Sequence, residues 1–288
     1  MNSKMKSHRS FGIVLAGGGA RGFSHAGVLR GLHHLGYTPS VVVGVSMGAV
    51  VGATYALNDN WYHAIRDMDL SGFPSMPNMQ GTGLTAAVRK FITAERMMSD
   101  LYFGWGFSGT AEQWGRDMIA HLTLGQPLEN ARVPLFVCAT DVATGERVTM
   151  DHGSTVNSVY ASSAIAGVLP PATIDARLLF DGGYADIAPI DVARSAGVDI
   201  VIAVNPAGDA DISLPRNGVE TMMRSVEICQ NHHALLRYAA ADLTLAPEFL
   251  DPIRTLDFKY RRRAIAAGVR CTRAARSDLE YLLARPTG

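Results

Sequence analysis

The sequence predicts a single α/β domain. Two observations carry that prediction: short apolar runs alternate with stretches of helical spacing from residue 11 to residue 283, and no repeat or low-complexity linker divides the 288 residues. A third is composition. With 48% apolar and 18% charged residues the chain can bury a core, which excludes a disordered or collagen-like polymer. The 26 Lys and Arg balance 26 Asp and Glu, so bulk charge gives no case for nucleic-acid binding.

Taken in order, Phe11-Gly-Ile-Val-Leu15 is the first strand. It ends in Gly17-Gly18-Gly19-Ala20-Arg21-Gly22, after which Val28, Leu29, Leu32 and Leu35 recur at helical spacing until Gly36. Val41-Val42-Val43, bounded by Pro39, is the second strand, and the small residues Gly48, Ala49, Gly52, Ala53 and Ala56 suit a helix packed close against a sheet. Residues 59–109 change character: Phe73-Pro74, Met76-Pro77, Met97-Met98 and the aromatics Tyr102, Phe103, Trp105 and Phe107 predict irregular structure with one or two short helices. Residues 133–140 and 147–150 read as a strand and its hairpin partner around Thr144-Gly145. Leu178-Leu179-Phe180 is a strand ending in Asp181-Gly182-Gly183, and residues 199–204 form a wholly apolar one. Residues 218–238 and 259–283 are long helical stretches flanking a short strand at 243–246.

Cys138, Cys229 and Cys271 are far apart, with no CxxC and no His at metal spacing, so no structural zinc is expected and all three read as core residues in a reducing compartment. The basic residues 1–10 lead into an apolar run that glycines interrupt too early for a signal peptide, and a cytoplasmic protein is expected.

Gly17, Gly19 and Gly22 satisfy GxGxxG between a strand and a helix, the setting of a dinucleotide site. Such a site wants an acidic residue about 20 positions on to hold a ribose hydroxyl. None occurs before Asp59, whereas residues 1–58 carry five basic ones: Lys4, Lys6, Arg9, Arg21 and Arg30. What remains is a turn whose bare amides, at a helix N-terminus, favour a developing anion such as a tetrahedral oxyanion. A tight packing turn would use the same glycines.

Gly44-Val45-Ser46-Met47-Gly48 is GxSxG between a strand and a helix of small residues, the context that holds a serine on a strained turn with its oxygen exposed. Three fixed positions at ~7% each would match by chance in roughly one chain in ten of this length, so placement adds to the motif. The same region, uncharged from Gly31 to Asn58 with Gly44, Gly48 and Gly52 at GxxxG steps, admits a transmembrane reading. Pro39, Ser40, Ser46 and Thr54 interrupt it and favour the soluble one.

A nucleophilic serine needs a base. His232-His233 lies within a helical stretch and His152 in a turn, neither being the loop-after-strand setting of a triad histidine. Asp181 ends an apolar strand, where a carboxylate within reach of Ser46 could serve as base without a histidine. Asp-Gly is also an ordinary turn pair.

The three motifs, Gly17-Gly18-Gly19-Ala20-Arg21-Gly22, Gly44-Val45-Ser46-Met47-Gly48 and Asp181-Gly182-Gly183, in that order and at those intervals, resemble the patatin-like phospholipase family over residues 11–205, most closely its small bacterial members. The resemblance implies a three-layer α/β/α sandwich with a mostly parallel central sheet, and a serine lipid acyl hydrolase with Ser46 as nucleophile and Asp181 as base. It also implies an oxyanion hole in the loop of Gly17, Gly18, Gly19 and Arg21, with the Gly18 and Gly19 amides foremost. No metal or organic cofactor is implied. In family terms Arg21 suits steadying the loop or meeting a phosphate head group. The sequence departs from the family in two places: Ala166 stands where proline is usual, and Asp186-Ile187 where asparagines are usual, while Pro189 is kept. Asp186 would alter the ionisation of Asp181 if the two interact.

The expected organisation is one catalytic domain over 1–288: a core at 11–205, a Met- and aromatic-rich lid or acyl-groove segment at 59–110, and helices at 206–288 that complete it. That segment reads equally as an ordinary helical insertion with its own small core. Arg261, Arg262, Arg263, Arg270, Arg273 and Arg276 lie on a helix with Ile265, Val269, Leu279 and Leu282, either a lipid-binding basic helix or, more commonly, one packed through its apolar side. The expected partner is a lipid or acyl ester; peripheral membrane contact and homo-oligomerisation are compatible with the sequence. An acyltransferase, a His-dependent esterase and a low-turnover lipid-binding protein are the alternative readings.

Overall fold

Phe11–Leu15 forms β1, five buried residues at the middle of an eight-stranded sheet. The structure is a computed structural model that describes residues 9–73, 104, 109–207, 214–215 and 218–284. From β1 the chain passes through a 3-10 turn, Gly19–Phe23, into α1 (Ser24–Leu35), then β2 (Val41–Val45), α2 (Met47–Leu57) and α3 (Trp61–Arg66). After α4 (Gly109–Leu122) follow β3 (Leu135–Asp141), β4 (Arg147–Met150), α5 (Thr155–Ser163), β5 (Ala172–Ile174), β6 (Arg177–Asp181), α6 (Ile190–Ser195) and β7 (Ile200–Val204). The last elements are α7 (Gly218–Tyr238), β8 (Leu243–Leu245), α8 (Arg261–Ala274) and α9 (Arg276–Leu283).

The strand order is β5-β6-β3-β2-β1-β7-β8, with β4 also paired to β3. The run from β3 through β8 is parallel, and β4, β5 and β6 pair antiparallel. Alternation along β1 sends Phe11, Ile13 and Leu15 to one face and Val14 to the other. The first face packs on α1, α2 and α5; the second packs on Ile190 and Ala193 of α6 and on Ala234 and Tyr238 at the end of α7. The result is the expected three-layer sandwich.

Register explains how the site assembles. Val45 of β2 pairs with Cys138 of β3, and the next residue, Ala139, pairs with Asp181 of β6. Chain positions far apart in sequence therefore end at one edge of one strand.

Several expectations change. The helical stretch at 259–283 divides into α8 and α9 at Ala275. α8 buries Ala264, Ile265 and Gly268 against α1, leaving Arg262, Arg263, Arg270 and Arg273 outward while Arg261 is half-buried on the Met68 carbonyl, so its apolar side is not free to meet lipid. Cys229 is not a core residue: it is exposed on α7, whereas Cys138 is buried. The helix at 47–57 has 11 residues, about half a membrane span. No described helix is long and apolar enough to cross a membrane. Of the segment proposed as lid or groove, α3 is described and residues 74–103 lie outside the described residues. Met68, Trp114, Met118 and Leu122 line an open cavity of about 510 Å³ beside it.

Candidate active site

Ser46 is the hinge between β2 and α2, with φ 54 and ψ −125. For a residue with a Cβ this conformation costs on the order of 1–3 kcal/mol and must be imposed by neighbours. α5 imposes it. The Ser46 N–H donates to Ser162 Oγ at 2.9 Å, and Ser162 Oγ donates onward to the Cys138 carbonyl at 2.6 Å. The Ser46 carbonyl accepts the Ala49 and Val50 N–H groups of α2 and, at 3.3 Å, the Ser163 hydroxyl. Gly48 allows the turn because α2 lies directly on β1: a Cβ there would stand 1.9 Å from the Leu15 carbonyl oxygen.

The Ser46 hydroxyl donates to Asp181 Oδ2 at 2.6 Å. Asp181 Oδ1 accepts the Gly183 N–H at 2.8 Å, its own N–H donates to the Ala164 carbonyl, and its carbonyl accepts the Thr140 hydroxyl. Burial pushes the carboxyl up to about 6, while the hydrogen bonds from Ser46 and Gly183 pull it down. Asp186 does not act on it as the sequence suggested. It turns away, pairing with Arg147 at 2.6 Å and with Arg237 of α7 at 2.7 Å, and accepts the Ala188 N–H.

The glycine loop lies alongside: a Cβ on Gly17 would be 3.5 Å from the Ser46 Cβ. Its amides divide into used and open ones. Gly17 N–H donates to the Ile187 carbonyl at 3.3 Å, Ala20 N–H to Thr255 at 2.7 Å and Arg21 N–H to Gly18 at 3.1 Å. Among the described residues, the N–H groups of Gly18 and Gly19 have no acceptor. Of the four loop residues expected to form an anion cradle, Gly17 and Arg21 thus have engaged amides. Gly19 takes φ +51 against the Thr255 carbonyl, which would stand 2.2 Å from a Cβ.

The Arg21 side chain is buried and runs to Glu227 Oε1 at 3.2 Å and Thr255 Oγ1 at 3.4 Å, steadying the loop rather than reaching outward. Behind the loop, His25 is fully buried and pushed down to about 4 by desolvation. It is therefore neutral, with Nε2–H donating to the Ala16 carbonyl at 2.8 Å. Sequence reasoning missed Ser162, Ser163, His25 and Glu227. The serines at least fall in the segment noticed for Ala166, whereas nothing in the pattern marks Glu227.

Gly22 packs on Met47, Gly44 on Ala49, Gly182 on the Cys138 carbonyl and Gly183 on the Gln230 side chain of α7. His152 is exposed and bonded to Asp151, and His232 is exposed on α7. No described histidine hydrogen-bonds Ser46. Among the described residues no cluster of three His, Cys, Asp or Glu could hold a metal ion. The arrangement can do acyl chemistry: an oxygen nucleophile on a buried carboxylate, beside two open amides.

Comparison with known proteins gives the family and the fold. A model of the patatin-like phospholipase family matches residues 13–194. Patatin-like phospholipase domain-containing protein 7 of Mus musculus is 29% identical over 218 residues, covering 75% of this chain and 15% of that protein. The uncharacterized NTE family protein Rv1063c of Mycobacterium tuberculosis (strain ATCC 25618 / H37Rv) is 29% identical over 224 residues, covering 74% of this chain and 55% of that one. The chain therefore spans about half, or far less, of the length of these relatives. In fold it is similar to VipD from Legionella pneumophila, with a TM-score of 0.51 at 15% identity over 95% of this chain and 67% of that one.

Proposed function

The chain belongs to the patatin-like phospholipase family, and from that membership we propose that it is a serine lipid acyl hydrolase acting on carboxylic esters of lipids through Ser46 and Asp181. The observation that carries this reading is the 2.6 Å hydrogen bond from the strained Ser46 hydroxyl to the buried Asp181 carboxylate.

In this reading Ser46 Oγ attacks the ester carbonyl carbon while its proton passes to Asp181 Oδ2. A carboxyl raised toward 6 is a stronger base than an exposed one, yet remains ionised at neutral pH. The carbonyl oxygen becomes an oxyanion facing the Gly18 and Gly19 amides, each such donor contributing about 3–4 kcal/mol to barrier lowering. The C–O bond breaks, the leaving alcohol takes the proton from Asp181, and an acyl-Ser46 remains. Water then attacks, giving its proton to Asp181, and the fatty acid leaves as Ser46 recovers the proton.

A fluorophosphonate probe tests the assignment. Wild type is expected to label and Ser46→Ala to lose all labelling; labelling that survives in Ser46→Ala refutes the nucleophile. Asp181→Asn is expected to lose ~10²–10⁴ in turnover. Full turnover in that variant refutes the base and leaves the nucleophile standing.

A further inference from the structure

The two open amides, Gly18 and Gly19, belong to a loop whose ends are held by different means. At its start Ala16 N–H donates to the Val204 carbonyl of β7 at 3.4 Å and Gly17 N–H to the Ile187 carbonyl at 3.3 Å, so this end continues the sheet. The far end has no such ladder. There Arg21 N–H donates to the Gly18 carbonyl at 3.1 Å. That carbonyl and the Gly19 N–H share one planar trans peptide and point in opposite directions, so whatever places the Arg21 backbone also aims the Gly19 N–H.

Arg21 is placed by its side chain. The guanidinium is 7% exposed, and among the described residues the one carboxylate that meets it is Glu227 of α7, at 3.2 Å. The same Oε1 accepts the Thr255 hydroxyl, while the Thr255 carbonyl accepts Ala20 N–H at 2.7 Å and stands against Gly19. One carboxylate oxygen therefore gathers the two residues that bracket the Gly19 peptide. The other oxygen takes Arg224 at 3.2 Å, which fixes Glu227 to its own helix.

We propose that Glu227 is a positioning residue of the ester-cleaving site: acting through Arg21, its negative charge holds the Gly19 N–H in the direction an oxyanion requires. The inference rests on the hydrolase reading for the rate but not for the loop. A neutral side chain at 227 leaves the Arg21 guanidinium buried without its counter-charge. The guanidinium then turns toward water, the Arg21 N–H releases Gly18, and the Gly19 peptide swings. Gly17, Ser46 and Asp181 keep their own bonds, so the ester is bound as before. What is lost is a donor to charge that forms only as the reaction proceeds, and the signature is a lower kcat at unchanged KM. Removing one oxyanion donor costs about 10²–10³ in kcat, and a misaimed donor costs part of that.

The full chain is assayed with a dissolved short-chain nitrophenyl ester, and hydrogen exchange of the loop is followed by mass spectrometry. Glu227→Gln is expected to lose at least ~10-fold in kcat with KM within roughly twofold of wild type. Its Ala20 and Arg21 amides are expected to exchange at least ~10-fold faster while those of β1 are unchanged. Glu227→Asp keeps the charge but draws it back by one methylene; it is expected to lose at least roughly threefold in kcat at the same KM, and it serves in the same comparison if Glu227→Gln does not fold. In an Arg21→Met background the further change Glu227→Gln is expected to alter kcat by less than about twofold, because the residue it acts through is gone. Wild-type kcat in Glu227→Gln, a loss carried by KM instead, or an equal loss in the Arg21→Met background overturns the assignment. Faster loop exchange in Glu227→Gln when wild type turns over no ester upholds the hold on the loop and sinks the hydrolase reading. Ester turnover by wild type, with kcat and loop exchange unchanged in Glu227→Gln, does the reverse.

Discussion

Replacing Asp181 by Asn should make the protein more stable and nearly inactive, and the gain in stability should depend on pH. Burial raises this carboxyl from 3.8 to about 6. A carboxyl raised in the folded state contributes stability that is full below the unfolded value, near 3.8, and is lost as pH rises through about 6. At about 1.4 kcal/mol per unit, ionised Asp181 costs the fold about 3 kcal/mol at pH 8 relative to a neutral side chain of the same shape. Asn is such a side chain: its oxygen can accept the Gly183 N–H and its NH₂ can donate to Ser46 Oγ. Urea unfolding of wild type and Asp181→Asn at pH 8, 6 and 4 would show a gain of about 3 kcal/mol that shrinks through pH 6 and vanishes near pH 4. A variant no more stable than wild type at pH 8, or a gain that stays constant with pH, would refute the argument that charge burial sets this carboxylate.

The same value fixes the acid limb of the rate profile: kcat/KM for a dissolved ester should fall below pH about 6 with the slope of a single proton, and a limb centred near 4 would rule out the buried form of Asp181 as the base. Ser162→Ala leaves the Ser46 N–H and the Cys138 carbonyl without their partner, so it should cost about 1–3 kcal/mol in thermal unfolding and slow probe labelling. Ser163→Ala should cost less, because the Ser46 carbonyl keeps the Ala49 and Val50 amides; equal effects would count against the imposed turn. Gly48→Ala puts a methyl 1.9 Å from the Leu15 carbonyl oxygen and should cost at least ~3 kcal/mol and abolish labelling, an outcome that circular dichroism melts and the probe would check together.

What the sequence made legible follows from burial and length. β1, β2 and β7 are buried on both faces in a parallel sheet and read as unbroken apolar runs, so their positions were plain. β5, three residues of mixed burial, carries no such run, and α5, a nine-residue helix capped by Ser154, has no apolar period to announce it. Ser46 and Asp181 were visible as motifs, but their contact spans 135 positions and depends on β3 standing between β2 and β6. Ser162 acts through a neighbour 116 positions away and Glu227 through one 206 away, distances at which spacing carries no signal. The bounds of α7 were readable from its helical pattern; which face turned inward was not, because ion pairs set it together with only Ala234 and Tyr238 packed in the core.

The site is therefore made of two materials that respond differently to ionic strength. Ser46 and the glycine loop hang from β1 and β2, neighbours joined by ladder hydrogen bonds in register from Gly12↔Val41 to Leu15↔Gly44, which dissolved ions do not reach. α7 is fastened beside them in part by Arg–carboxylate pairs, through Glu227 to Arg21 and Arg237 to Asp186, and at its end by Ala234 and Tyr238 in the core. Raising salt from physiological levels to 1 M shortens the screening length from about 8 Å to about 3 Å, which weakens those pairs first. Concentrated salt should loosen the helix that flanks the site, and with it the Arg21–Glu227 tie on the glycine loop, while Ser46 keeps its place between β2 and α2.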